Sequence, residues 1–136
     1  MKIAFLRDSL FLMVYCISIF FLSHQSTLPM SQVFLHQDKL THLLAYAVMG
    51  VLAWNAFSHH LLKHRRLWFT TVLFCSLYGV SDEFHQSFIE GRYSEVADWL
   101  ADTLGAVMAA SIIYDRCRSE HYVGSERSVQ RKTVCR

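Results

Sequence analysis

Apolar positions along this 136-residue chain fall into four blocks. Formal charge nearly disappears over residues 9–23, 40–58, 67–81 and 96–114, where only Asp98 and Asp102 interrupt. The blocks are 15 to 19 residues long. A hydrocarbon core about 30 Å thick takes roughly 20 helical residues at about 1.5 Å each. Each block is therefore at the short end, and snorkelling of Arg7, Arg65, Arg66 and Arg116 extends it. The pattern predicts an all-α integral membrane protein, a bundle of four transmembrane helices over 8–25, 40–58, 66–84 and 96–114. These form one membrane domain, 1–115. The polar, basic segment 116–136 that follows reads as a disordered cytoplasmic tail.

Composition sharpens this. The chain is 53% hydrophobic and 18% charged, against about 25% charged for a soluble domain. The first block has a basic flank like a secretory signal, but HQSTLPMSQ after it offers no small-x-small cleavage site. It is expected to be a retained span. Bases then set the orientation. Eleven of the 13 Lys and Arg residues lie in the N-terminal flank, the 59–66 loop or the tail, leaving Lys39 and Arg92 on the opposite side. That bias predicts both termini inside, in the inner membrane of a bacterium. Cys16, Cys75, Cys117 and Cys135 show no metal or redox spacing and are expected to be reduced. Nothing in the sequence suggests a nucleic-acid partner; membrane lipid is the expected one.

The acidic residues do the reverse of the bases. Asp38, Asp82, Glu83, Glu90, Glu95, Asp98 and Asp102, seven of the 11, fall on the outer side, so the formal balance there is 2 − 7 = −5. Several share helix faces. Asp38, His42 and Tyr46 repeat at i, i+4, i+8, as do Tyr78, Asp82 and Gln86, while Asp98 and Asp102 are i, i+4 neighbours. Glu83 points about 100° away from Asp82. Helical rise puts Asp102 about 20 Å into the core, with the other polar residues around an outer mouth. A carboxylate at that depth costs at least about 2.5 kcal/mol unless paired, protonated or used. Ala97, Ala101, Gly105 and Ala109 form a stripe of small residues read as helix packing. His59, His60 and His64 read as a solvated turn.

Three stretches, DKLTHLLAY (38–46), YGVSDEFHQSFIEGR (78–92) and DWLADTLGA (98–106), resemble the three motifs of the VanZ-like membrane proteins. The resemblance keeps order and spacing over about residues 33–113. It implies functional roles for Asp38, Lys39, His42, Tyr46, Asp82, Glu83, Gln86, Arg92, Asp98, Asp102 and Gly105. That family often carries Asn where this chain has Asp102, and Pro-Gly-Arg where it has Glu90, Gly91 and Arg92. The name implies a link to glycopeptide resistance, but no single reaction comes with it.

Three functions fit a polar, acidic cup at the outer leaflet. An enzyme acting on a lipid-linked envelope substrate would draw its chemistry from Asp38, His42, Asp82, Glu83, Gln86 and Asp98. Here His42 would be the proton shuttle and Asp82 or Glu83 the base. Lys39, Tyr46, Arg92 and Asp102 would bind the substrate, with Lys39 and Arg92 on an anionic group. A divalent cation could be held by Asp82, Glu83, Asp98, Asp102 and His42, although no dedicated metal motif is present. A binding module for a lipid or antibiotic would use the same cup without turnover. An ion-coupled carrier would also need a polar path to the cytoplasm, and the inner halves of the helices offer almost none. His85, off the Asp82–Gln86 face, is expected at an interface.

Overall fold

The computed structural model describes residues 2–26, 36–60 and 63–123, which fold into four α-helices: α1 (Lys2–Ser23), α2 (Gln37–Ser58), α3 (His64–Gln86) and α4 (Val96–Val123). Consecutive helices run antiparallel. Helix α2 packs on all three others, whereas α4 packs on α2 and α3 and has no interface with α1. The seven acids expected on the outer side consequently gather at one end of the bundle, where α1 and α3 finish and α2 and α4 begin.

The helices overrun the predicted spans. Helix α1 starts six residues earlier than expected, because nothing between Lys2 and Arg7 breaks a helix. Helix α2 takes in Asp38, whose charge suits a helix N-terminus. Helix α4 does not stop near residue 115: it continues two turns into the segment expected to be a disordered tail, through Val123. Helix propensity of Arg116, Arg118 and their neighbours carries it on. The remaining tail, 124–136, lies outside the described residues. So does Cys135. Cys16 and Cys75 are free thiols as expected, but Cys117 on α4 is disulfide-bonded, contrary to the expectation that all four cysteines stay reduced.

Three helices, α1, α2 and α4, are long and apolar enough to cross a membrane. Helix α3 falls short by composition because HRR opens it and SDEFHQ closes it. Its outward face is nonetheless apolar: Phe69, Leu73, Leu77, Val80 and Phe84 are exposed at helical spacing. Leu100, Leu104, Met108 and Ile112 form the same kind of stripe on α4, and Leu44, Val48 and Val51 one on α2. Inside, the buried set includes Asp82, Glu83, Gln86, Asp98 and Asp102. Apolar outside with charge inside is the distribution a bilayer selects and water does not.

Close packing of α2 on α4 rests on glycine. A Cβ at Gly105 would collide with the Leu43 carbonyl oxygen and lie 3.0 Å from Ala47 N. At Gly50 it would meet Ala106 Cα and Ala109 Cβ at 3.3 Å. Only part of the expected small-residue stripe forms this seam: Gly105 and Ala109 are buried with Ala106 and Ala110, while Ala97 is exposed. The opposite half of the bundle is closed by Met49, Ala53, Ala56, Cys75 and Ala106. The His59–His60–His64 cluster is not simply solvated. His59 bonds Asp8 at 2.8 Å, and the Phe5 ring meets both His59 and His60 edge-on. Helix α1 thereby holds the α2 terminus.

Candidate functional site

The polar end of the bundle has a rim and a floor. At the rim, the Lys39 ammonium donates to Asp38 Oδ2 at 2.8 Å, Glu95 Oε2 at 2.7 Å and Asp98 Oδ1 at 2.9 Å. Exposure falls with depth. The Glu95 and Asp38 side chains are 50% and 42% exposed, His42 16%, Asp98 8% and Asp102 0%. At the floor, His42 Nδ1 and Asp102 Oδ1 share a hydrogen bond of 3.0 Å. The i, i+4 spacing of Asp98 and Asp102 on α4, facing Asp38 and His42 on α2, builds this descent directly.

Asp82 and Glu83, adjacent in sequence, make bonds in different directions. Glu83 turns towards α4: its Oε2 accepts the Glu95 backbone N–H at 2.9 Å, an N-terminal donor of α4 with no partner inside that helix. Asp82 shares its face with Gln86, whose Nε2 donates to Asp82 Oδ2 at 3.2 Å and reaches Ser23 Oγ on α1 at 3.5 Å. Arg92 extends the same edge, with Nη2 at 3.5 Å from the Leu22 carbonyl oxygen, long for a hydrogen bond. Gly91 before it has φ +83°, and a Cβ there would lie 3.2 Å from Ser26 O. That turn sets where Arg92 emerges.

Buried polar atoms normally have partners. Five buried side-chain atoms among the described residues have none: Tyr46 Oη, Thr71 Oγ1, Glu83 Oε1, Arg92 Nε and Asp102 Oδ2. Four of the five belong to residues expected in the site. Asp102 Oδ2 lies against the Cα side of Gly79, where an added Cβ would sit 2.9 Å away. Nor is the charge balanced. Among the described residues, no Lys or Arg lies within 4 Å of the Asp82, Glu83 or Asp102 carboxylates.

All the predicted residues reach this end of the bundle, but their placements differ from expectation in three respects. Lys39, expected to hold an anionic group, is enclosed by three carboxylates and acts as their counter-charge. The outer-mouth residues Asp82, Glu83 and Asp98 are buried rather than ringing an open mouth. Glu95 was not among the predicted site residues, yet it closes the rim. Its signal was present, since Glu95, Asp98 and Asp102 stand at i, i+3, i+7. His85 sits at the α1–α3 interface, 3.2 Å from His24 and 4.5 Å centre to centre from the Phe20 ring. Two groups bring one ligand atom each within 4.8 Å of one another: His42, Glu83 and Asp98, and Asp38, Glu95 and Asp98.

An apolar groove of about 430 Å³, lined by Leu12, Cys16, Ala56, Phe74 and Tyr78, lies away from this cluster and offers hydrocarbon without chemistry. Among known proteins, the model of the VanZ/LLP1 family matches residues 8–117. No curated protein and no solved structure matches.

Proposed function

Because the chain belongs to the VanZ/LLP1 family of membrane proteins, we propose that its buried acidic cup acts on a lipid-linked substrate of the bacterial envelope. The cup opens to the outer face of the inner membrane, with four spans and the start of α1 and the end of α4 inside. The 11-to-2 split of bases supports that orientation. The observation that carries the function is the set of unpartnered buried atoms on Tyr46, Glu83, Arg92 and Asp102. A merely structural polar cluster satisfies its own groups, whereas a site keeps some for a ligand. Arg92, with a free Nε and one long contact, holds the anionic part of the head group; Lys39 keeps the rim together. His42, oriented by Asp102, moves the proton, with Glu83 as its acidic counterpart.

The outer-leaflet lipid profile of a deletion strain tests this. One lipid-linked species is expected to accumulate or vanish, and a Glu83→Gln copy at normal protein level is expected not to restore it. An unchanged profile overturns the reading. Teicoplanin susceptibility in the same strains examines the family's resistance link. A non-enzymatic binding module is the second reading, supported by the same unpartnered atoms: it would change the amount of free lipid without producing a new species. The carrier reading has least support, since Met49, Ala53, Ala56 and Cys75 close the inner half with apolar side chains.

A further inference from the structure

The acidic end contains two candidate cation positions that share Asp98, and their surroundings differ. The Asp38–Glu95–Asp98 group already encloses a cation, the Lys39 ammonium, at 2.7 to 2.9 Å from all three carboxylates. The His42–Glu83–Asp98 group encloses none of the protein's own cations. Glu83 is 7% exposed and its Oε1 has no hydrogen-bond partner, although its Oε2 is held by the Glu95 N–H. A buried, half-satisfied carboxylate oxygen beside an imidazole and a second carboxylate is costly as it stands.

From this we infer that His42, Glu83 and Asp98 bind one divalent cation of the Mn²⁺ or Zn²⁺ kind. The imidazole is prepared for the task. Its Nδ1 shares a 3.0 Å hydrogen bond with Asp102 Oδ1, and the tautomer that donates to that carboxylate has its lone pair on Nε2. A carboxylate behind a histidine is the usual way a metal-binding imidazole is fixed in tautomer and orientation. Asp98 offers its second oxygen, because Oδ1 is taken by Lys39. Ligand atoms within 4.8 Å of one another close around an ion with bonds of about 2.1 Å after side-chain shifts of about 1 Å. One nitrogen and two carboxylate oxygens favour Mn²⁺ or Zn²⁺ over Ca²⁺, which takes six to eight oxygens. Charge favours it too. Asp82, Glu83 and Asp102 are buried carboxylates with no Lys or Arg within 4 Å, and the Lys39 ammonium beside Asp98 is shared with Asp38 and Glu95, so a dication offsets charge that the protein leaves unmatched. Three protein ligands leave positions for an oxygen of the substrate.

The cation occupies the cup assigned above, so its use on an envelope lipid rests on that proposal; with the ion bound, His42 and Glu83 serve as its ligands and the acid–base role passes to Asp82. Its binding is measured without any substrate, and failure of one leaves the other standing. The full chain, purified in detergent and stripped with chelator, is titrated with Mn²⁺ and with Zn²⁺ and followed by its melting temperature. Electron spin-echo spectroscopy of the Mn²⁺ form then reads the ligands. One saturable ion per chain is expected, raising the melting temperature and carrying a nitrogen coupling from the imidazole. Glu83→Gln is expected to weaken binding at least about tenfold, and His42→Gln to remove the coupling. No saturable binding, bound Mn²⁺ without nitrogen coupling, or unchanged affinity in a folded Glu83→Gln chain would each overturn the inference. If a variant fails to fold, the coupling in the wild-type chain decides.

Discussion

The two oxygens of Asp102 stand in unequal positions. Oδ1 accepts from His42, while Oδ2 is buried beside Gly79 without a partner. Asparagine can keep the first bond with its carbonyl oxygen, so Asp102→Asn is expected to alter stability by less than about 1 kcal/mol. Asp102→Leu leaves the His42 N–H unsatisfied and is expected to cost about 1–3 kcal/mol. Thermal melting in detergent checks both. Asp82 behaves differently: Asp82→Asn keeps volume and the Gln86 contact but removes charge from the cup. It is expected to abolish the lipid phenotype with little change in melting temperature; a silent Asp82→Asn beside a dead but folded Asp102→Asn would favour the carrier reading. At this scale helical spacing in the sequence was informative, because a shared face survives folding: Asp38 and His42 descend one face as Asp98 and Asp102 descend another. What spacing could not supply was pairing. Lys39 has three carboxylates within reach in space, two of them more than 50 residues away, and no pattern along one helix reveals that its charge is already matched.

Helices α2 and α4 meet so closely that side chains give way to backbone. Gly105→Ala would force a Cβ against the Leu43 carbonyl and the Ala47 amide, and neither atom can rotate aside. The expected result is a loss of at least about 1–3 kcal/mol, the range for overpacking, and more if the helices separate. Gly50→Ala, with its nearest neighbours at 3.3 Å, is expected to cost less. Melting the two variants side by side tests the order. The seam also holds His42 opposite Asp102, so Gly105→Ala is expected to weaken the site as well as the fold. Element existence was readable from the apolar blocks, because lipid demands long uninterrupted helices. Element ends were not. No apolar block marks the last two turns of α4: among the described side chains only Cys117 is in the core there, and ordinary helix propensity continues after the hydrophobic pattern has stopped.

As a whole the bundle is polarised, with carboxylates at one end and bases near the other. Cysteine scanning gives the orientation a direct check in a cysteine-free background. Glu90→Cys is expected to react with an impermeant reagent from outside, and Lys63→Cys only after permeabilisation. Labelling of position 63 in intact cells would invert the bundle and place the cup in the cytoplasm. The bias of bases was legible from sequence because it concerns totals, not contacts. The buried state of the outer acids was not legible, since it follows from how α1, α3 and the 87–95 turn close over them.

Lys39 has a history as well as a position. Its partners stand one, 56 and 59 residues along the chain, so when α2 is synthesised only Asp38 exists to meet it. The two distant carboxylates are made with or just before α4, and the charged layer is the last part of the molecule to close. A product stopped before residue 95 carries Lys39 without Glu95 and Asp98, and His42 without Asp102, so buried polar groups of the membrane bundle lack their partners. Such a fragment is expected to be a substrate for membrane proteases. In pulse–chase labelling it is expected to decay several-fold faster than the full chain, and Lys39→Met within the fragment to slow that decay. The same ion pairs that shape the cup thus time-stamp the protein, distinguishing a finished bundle from an interrupted one.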